Sequence, residues 1–179
     1  MVKLLFFSLF NLILFSANTA VDPSPKVSSY KSNAKNQTLF VIERNKNANT
    51  VFYDVNITQN GKIDSEKPVD AYFVDYATTG KRAELSFIER KMAYGFEFEK
   101  TENNNFYVTL RAYKDRKILV YLDAKGNAHS LMKINGKTSQ LTKIFVFAKP
   151  KLYTSVEFIE LHGVDFKTGE VTYEKIINK

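Results

Sequence analysis

Residues Leu85–Glu99 read LSFIERKMAYGFEFE, and they contain a helix signal that runs directly into a strand signal. Ser86 and Glu89 have the spacing of a capping box, in which each side chain binds the backbone N–H of the other residue. Ile88 and Met92 lie four residues apart, which is the spacing of one buried stripe on a helix of two turns. This stretch therefore predicts a helix in a chain whose other segments have strand patterns.

The sequence also predicts where this helix ends. Gly95 can adopt a positive φ angle, a conformation that commonly terminates a helix. Residues 96–99 then alternate Phe with Glu, and this period of two places the aromatic rings on one face of a strand. We therefore expect one short helix near residues 86–94, followed at once by a strand.

Strand patterns fill most of the chain outside this helix. In Thr50–Thr58, for example, every second residue is a β-branched or aromatic residue. Downstream of the helix, turn-like clusters recur about every ten residues, which is the spacing of an all-β sandwich or barrel. These clusters are Asn103–Asn105, Lys114–Lys117, Lys125–Asn127 and Asn135–Lys137.

These patterns predict a mainly all-β fold with an antiparallel meander of about ten strands. A sheet of that length must close on itself or fold into two layers, because open edges promote aggregation. We favour a closed or nearly closed barrel with the short helix at an edge or an end. A two-sheet β-sandwich is the alternative.

The first residues have the layout of a secretory signal peptide. Lys3 precedes the apolar run Leu4–Phe15, and Ala17 and Ala20 offer small residues for cleavage. The apolar run is shorter than the roughly 20 residues that a membrane-spanning helix needs. We therefore expect residues 1–20 to be a signal peptide and the mature protein to be exported, either periplasmic or secreted, without spanning the membrane.

The remainder of the chain divides into two parts. Residues 21–37 are rich in Pro, Ser, Asn and Lys without an apolar period, which predicts a flexible leader. Residues 38–179 are enough for one domain with a substantial core and too few for two domains of ordinary size. We therefore expect a single β domain over residues 38–179.

Composition excludes several kinds of site. The chain has no cysteine, which rules out disulfides, thiolate nucleophiles and cysteine-ligated metals. With only two histidines it also predicts no zinc site and no cofactor. The net charge of +7 favours anionic surroundings, but Lys and Arg are spread along nearly every segment. That spread argues against a nucleic-acid partner.

Five stretches of the chain together carry a resemblance to a known family: Phe40–Asn56, Lys67–Val74, Glu89–Phe96, Ile134–Phe147 and Val156–Ile176. They resemble a family of small exported bacterial proteins known as domain of unknown function 4833. The resemblance implies export, one compact domain and no established activity or catalytic residues. It also leads us to expect a tryptophan in the strand after the Pro-Val pair, where this chain has Tyr72-Phe73.

The loop at residues 44–49 is the strongest candidate for ligand binding. Arg44 presents a planar fork suited to carboxylate, sulfate or phosphate, and the side chains of Asn45 and Asn49 supply donors and acceptors for sugars or amides. At the mouth of a barrel such a loop would be well placed to hold a ligand. The alternative is a polar hairpin loop in which Asn stabilises the turn.

Aromatic and basic residues extend this candidate site. Tyr94 completes the polar set, and Tyr53 and Tyr72 are candidate walls, because ligand pockets combine aromatic walls with a few polar groups. Arg90 and Lys91 could form an anion-binding rim with Tyr94 and two further lysines, Lys137 and Lys143. Ordinary solvated faces of a helix and strands explain these basic residues equally well.

A second candidate lies in the last predicted hairpin. Alternation places Glu160 and His162 on one face with Val156 and Phe158, so that a carboxylate and an imidazole are neighbours among apolar groups. If buried, the pair could act in acid–base catalysis, and with Asp165 it could form an incomplete metal site. The alternative is an ion pair without catalytic function, because an active site normally has a third positioned group.

Three functional hypotheses follow. The leading one is a non-enzymatic binding module of the cell envelope that takes a small molecule, a glycan or another envelope component at its mouth. The second is an envelope hydrolase or lyase that uses Glu160 and His162. The third is a structural or assembly protein that pairs through an exposed sheet edge.

Overall fold

The structure is a computed structural model that describes residues 37–45, 47–76, 79–149 and 155–178. The predicted signal peptide and the predicted leader, apart from its last residue, lie outside the described residues. None of the helices within the described ranges is long and apolar enough to cross a membrane.

The described residues form eleven strands, one α-helix and one 3₁₀ turn, so the predicted all-β class is confirmed. The helix, α1, is Phe87–Met92, and the 3₁₀ turn is Glu102–Asn104. The strands are β1 (Gln37–Arg44), β2 (Asn47–Val55), β3 (Val69–Asp75), β4 (Lys81–Glu84), β5 (Phe96–Lys100), β6 (Phe106–Leu110), β7 (Tyr113–Leu122), β8 (Ala128–Ile134), β9 (Lys137–Lys149), β10 (Ser155–Asp165) and β11 (Val171–Ile177).

Strand β9 organises the sheet because it pairs with three other strands. Its first residues, 137–140, pair with β8, and residues 143–146 pair with β1. Because β10 pairs along β9 as far as residue 149, β8 and β1 must share the opposite edge of β9. Two arms of sheet therefore leave that edge, one ordered β1-β2-β3-β4 and the other β8-β7-β6-β5.

The sheet curls into a half-barrel that is nearly closed, as the sequence predicts. The pairings are antiparallel, with one exception, since β1 runs parallel to β9. The arms end at β4 and β5, which α1 connects along the chain. Inside, Phe40 stacks on Tyr53 with ring centroids 4.5 Å apart, and Phe96 of the other arm meets Tyr53 edge-on at 6.1 Å.

The capping box of α1 is confirmed in both directions. The Ser86 hydroxyl accepts from the Glu89 N–H at 3.3 Å, and the Glu89 carboxylate accepts from the Ser86 N–H at 2.8 Å. The predicted buried stripe is wrong, because α1 has no buried residue and Ile88 is 55% exposed. The helix is anchored instead by the buried residues that flank it, Leu85 and Tyr94.

Gly95 is needed for a reason that differs from the predicted one. It is not among the residues with positive φ, and the helix ends at Ala93 with φ −121°. A Cβ atom at Gly95 would lie 1.7 Å from the carbonyl oxygen of Arg90. The backbone therefore approaches itself too closely at this point for any side chain.

Two further sequence predictions are corrected at strand level. The short, charged strand β4 (KRAE) was not predicted, and the cluster Lys114–Lys117, predicted as a turn, lies within β7. The turn before β7 is instead at residues 111–112. Charge explains both errors, because strand residues that face solvent or ion-pair need not be apolar.

Candidate functional site

Arg44 and Tyr94 meet at one end of the half-barrel, beside a narrow apolar pocket. The Arg44 Nη1 donates to the Tyr94 hydroxyl at 3.3 Å, and the guanidinium lies 5.9 Å from the centre of the Tyr94 ring. The pocket has a volume of about 20 Å³, which is room for roughly one water-sized group. Its other lining residues are Ile42, Ala93, Leu110, Ala112, Tyr113, Ile144, Val146 and Ile159.

Tyr53 fixes the position of Tyr94. Its hydroxyl donates to the Tyr94 carbonyl at 2.7 Å across the half-barrel, from β2 to the segment after α1. Burial raises the pKa of Tyr53 well above its usual value, and burial also raises the pKa of Tyr94, although Arg44 partly offsets that rise. Both phenols therefore keep their protons at neutral pH, and the Tyr94 O–H can donate while its oxygen accepts from Arg44.

Asn45, although it lies beside Arg44, has a structural role. Its Nδ2 donates to the Ala148 carbonyl at 3.2 Å, and its Oδ1 accepts from the Ala148 N–H at 3.0 Å. The side-chain amide thereby bonds both backbone groups of one β9 residue, as a paired strand would. The side chain of Asn49 lies outside the described residues.

Tyr72 does not share a site with Tyr53. In the β2–β3 register Tyr53 pairs with Ala71, so Tyr72 projects from the opposite face of the sheet. There its hydroxyl donates to Asp54 at 2.9 Å, and the Arg82 guanidinium lies 3.9 Å from its ring centre. The structure thus brings together Arg44, Tyr94 and Tyr53 and separates Tyr72 from them.

The basic residues proposed as an anion-binding rim belong to separate ion pairs. Arg90 contacts Glu84 at 2.6 Å and also donates to the Leu85 carbonyl at 3.1 Å. Lys137 and Lys143 lie on β9, and each pairs with an acid at 3.3 Å, with Glu170 and Glu43 respectively. Arg90, Lys137 and Lys143 therefore belong to separate local ion pairs and do not form one anion-binding rim.

Glu160 and His162 do come together, on the outer face of β10. The Glu160 Oε2 and His162 Nε2 atoms are 3.5 Å apart, and the Tyr173 hydroxyl donates to Glu160 at 2.9 Å. The buried His162 Nε2 makes no hydrogen bond within the described part of the chain. Lys175 Nζ also approaches Glu160, at 3.9 Å.

The shared face predicted for this pair is partly corrected. A shift in the β9–β10 register between Val156 and Phe158 turns Val156 into the core, whereas Phe158 stays on the outer face. Asp165 is buried on the inner face, where its carboxylate accepts from the N–H groups of Thr168 and Lys167. Those bonds lower the pKa of Asp165.

No group of three metal-binding side chains occurs among the residues that the structure describes. The Asp165 carboxylate, on the inner face, is separated from the Glu160–His162 pair by the sheet. The Glu160–His162 pair lines neither the Arg44–Tyr94 pocket nor the cleft around Lys62 and Asn104. The structure therefore groups this pair with Tyr173 and Lys175 on the outer face, and not with Asp165.

An open cleft of about 440 Å³ lies at the other end of the half-barrel. One wall is the β2–β3 connection around Lys62, and the other is the 3₁₀ turn. The Asn104 Nδ2 joins the two walls by donating to the Ile63 carbonyl at 3.1 Å. The sequence marks both walls as turns, at Asn60-Gly61 and at Asn103–Asn105. Sequence reasoning missed the cleft because no local pattern shows that these two turns meet.

The chain was compared with curated proteins, solved structures and family models. No curated protein and no solved structure matches this chain. A family model described as a domain of unknown function (DUF4833) matches residues 40–175, which is most of the chain and nearly all of the half-barrel. The chain therefore belongs to the DUF4833 family.

Proposed function

We propose that the protein is an exported, non-enzymatic binding module of the cell envelope, periplasmic or secreted. Its ligand is an amphipathic anion, which places an apolar tip in the Arg44–Tyr94 pocket and its charged group against Arg44. The observation that carries this proposal is that a guanidinium and a phenol, which contact each other, line an otherwise mostly aliphatic pocket.

The chemistry of the pocket selects this ligand class. Aliphatic walls favour an apolar group, and the small volume admits only the end of a chain. Arg44 offers a planar set of donors that suits a carboxylate, and the Tyr94 O–H adds a neutral donor beside it. The positive net charge of the chain favours the approach of an anion.

Support for export comes from the N-terminal sequence, whose Lys3 and apolar run have the order of a signal peptide. The absence of cysteine is compatible with any redox compartment. Fractionation of the native organism, with detection of the cleaved N-terminus by mass spectrometry, tests this part. An intact N-terminus in the cytoplasmic fraction would contradict it.

Octanoate and its uncharged analogue octanol test the ligand class. Titration of the full chain, followed by NMR shifts of Ile42, Ala93 and Ile144, is expected to show binding of octanoate and about tenfold weaker binding of octanol. Arg44→Gln should remove this preference, whereas Arg111→Gln, at an exposed position, should preserve it. Equal binding of both compounds by the wild-type protein would overturn the proposal.

Strand β11 favours a second candidate function, which is self-association through a sheet edge. Its outer edge is unpaired within the described residues, and Val171 and Ile177 are 83% and 63% exposed. Antiparallel pairing of two copies centred on Glu174 would place Val171 opposite Ile177 twice. The central Glu174 is neutralised by a two-point contact with Arg116, at 2.6 and 2.7 Å.

Charge substitution distinguishes this edge pairing from other contacts. Ile177→Lys should shift sedimentation equilibrium towards the monomer, and the double variant Val171→Glu with Ile177→Lys should restore the dimer by placing opposite charges across the two-fold axis. A wild-type chain that stays monomeric at the highest measurable concentration would exclude this candidate.

A further inference from the structure

We propose that the cleft between the β2–β3 connection and the 3₁₀ turn binds carbohydrate, with a preference for an acidic sugar. This site is separate from the Arg44–Tyr94 pocket, because the two lie at opposite ends of the half-barrel and share no lining residue. Its volume of about 440 Å³ is within the range of about 300–1,000 Å³ that is typical of ligand sites.

Both walls of the cleft are fixed before any ligand arrives. In the β2–β3 connection, Thr58 and Lys62 are joined by a backbone hydrogen bond of 2.8 Å, and Ile57 bridges Ile63. In the 3₁₀ turn, the Thr101 N–H donates to the Asn105 carbonyl at 2.8 Å. The Asn104–Ile63 hydrogen bond then holds the two walls together. A preorganised site loses little freedom when a ligand binds.

The polar groups of the cleft have unused hydrogen-bonding capacity. The side-chain amides of Asn103 and Asn105 make no hydrogen bond within the described residues, although both line the cleft. Each amide offers two donors and one acceptor group, and this combination matches neighbouring hydroxyls of a sugar ring, which both donate and accept. Two such amides in one cleft can therefore bind two pairs of hydroxyls.

The apolar part of the cleft lining suits the apolar face of a sugar ring. Ile63 is buried and Leu122 is half-buried, and both line the cleft together with the amides. A pyranose ring has C–H groups on its faces and hydroxyls around its rim, so it can place C–H groups on Leu122 while its rim contacts the amides. A simple anion such as phosphate would leave this apolar lining in contact with water.

The charge of the cleft gives the preference for an acidic sugar. Lys62 lines the cleft and makes no ion pair within the described part of the chain. Glu102 is on the same 3₁₀ turn, but its side chain is exposed and outside the lining. A ligand carboxylate can therefore contact the Lys62 ammonium, a charge-assisted bond that a neutral sugar does not make.

Two asparagines with positive φ angles provide a test variant and its matched control. Asn103 has a φ angle of 57° in the cleft, and Asn135 has a φ angle of 48° in the β8–β9 turn, on a different part of the sheet. Glycine adopts such angles without strain, so Asn103→Gly removes the amide and keeps the turn. Asn135→Gly makes the same chemical change where no cleft residue is involved.

Trigalacturonate and its methyl ester are the probes, because the ester keeps the hydroxyls and removes the charge. We expect trigalacturonate to shift the NMR signals of Gly61 and Asn103 in the full chain. In calorimetry, Asn103→Gly and Lys62→Gln should each weaken binding about tenfold. The ester should bind the wild-type protein about as weakly as trigalacturonate binds Lys62→Gln, and Asn135→Gly should bind like wild type.

Any of three results would contradict the proposal. If neither probe shifts the Gly61 and Asn103 signals, or if Asn103→Gly binds like wild type, the cleft is not the site. If the ester binds as tightly as trigalacturonate, the acidic preference is wrong. Arg44→Gln should leave trigalacturonate binding unchanged, so this experiment is independent of the octanoate titration.

Discussion

At the scale of single residues, Asn45 and Arg44 show most clearly that the type of a side chain does not determine its role. The sequence predicts both as polar residues of one ligand-binding loop over residues 44–49, whereas in the structure Arg44 is the last residue of β1 and β2 already begins at Asn47. In the structure the Asn45 amide bonds Ala148 of β9, whereas Arg44 reaches Tyr94 beside a pocket. Residue type alone does not distinguish these roles, because the partner of Asn45 lies about one hundred residues further along the chain.

The first prediction concerns Asn45. Asn45→Ala leaves the N–H and C=O of Ala148 without their side-chain partner, in a region where Ala148 is fully buried. We expect the free energy of unfolding to fall by about 1–3 kcal/mol, measured by urea denaturation. Gln59→Ala, at an exposed turn position, should change it by less than about 0.5 kcal/mol. Similar effects of both substitutions would contradict the structural role.

A second residue-scale prediction concerns pH. Hydrogen bonds from Arg116, then from the Asn135 N–H, hold the pKa of Glu174 below its usual 4.5, although partial burial opposes them. A carboxyl group with a lowered folded-state pKa stabilises the fold above its unfolded pKa, and this contribution is lost as pH falls. We expect the stability of the wild-type protein to decline below about pH 4.5 for this reason.

Glu174→Gln tests the origin of that decline. The amide cannot titrate, so the variant should be less stable than wild type at pH 7 and should lose less stability between pH 5 and pH 2. Chemical denaturation at several pH values measures both effects. Glu97→Gln, at an exposed and loosely paired carboxyl group, is the control. The same pH dependence in wild type and Glu174→Gln would show that other carboxyl groups dominate.

At the scale of elements, the sequence correctly predicted those features that depend on interactions between residues a few positions apart. The capping box of α1 and most of the strands were visible as spacing, because hydrogen-bonding caps and side-chain alternation act over a few residues. Strand β4 and the first half of β7 carry charges that disguise the alternation. The outward position of α1 depends on the two arms of the sheet, which local spacing does not report.

The third prediction separates the helix from its anchors. Leu85→Ala should lower the free energy of unfolding by about 2–4 kcal/mol, because Leu85 is 5% exposed and packs in the core. Ile88→Ala should change it by less than about 0.5 kcal/mol, since this side chain projects into solvent. Thermal or urea unfolding of the two variants measures the difference. An equal loss of stability at both positions would contradict the exposed position of Ile88 and support the buried stripe that the sequence predicted.

At the scale of the whole molecule, long-range pairing decides both the fold and the candidate sites. The parallel β1–β9 contact joins segments about one hundred residues apart and has no local sequence signal. The same holds for the cleft, where residues near 62 and 104 meet. Barrel-like closure could be predicted because a long sheet must protect its edges. The positions of the Arg44–Tyr94 pocket and of the cleft could not be predicted.

The last prediction follows from the position of β9 at the branch of the sheet. Opening β9 breaks pairings with β8, β1 and β10 together, and it exposes Leu141, Ile144 and Val146 of the core. Its amides should therefore exchange hydrogen only through global unfolding, whereas α1 and β11 can open locally because each has few partners.

Hydrogen–deuterium exchange of the full chain, read by NMR, measures this hierarchy. We expect residues 143–146 to exchange more slowly than residues 87–92 and residues 171–177 by at least about two orders of magnitude. Addition of denaturant should bring all three groups to one common rate when global unfolding takes over. If β11 is as protected as β9 in dilute protein, where a dimer would dissociate, β11 does not open locally and this hierarchy is wrong. If β11 is protected only in concentrated protein, self-association through its edge explains the protection.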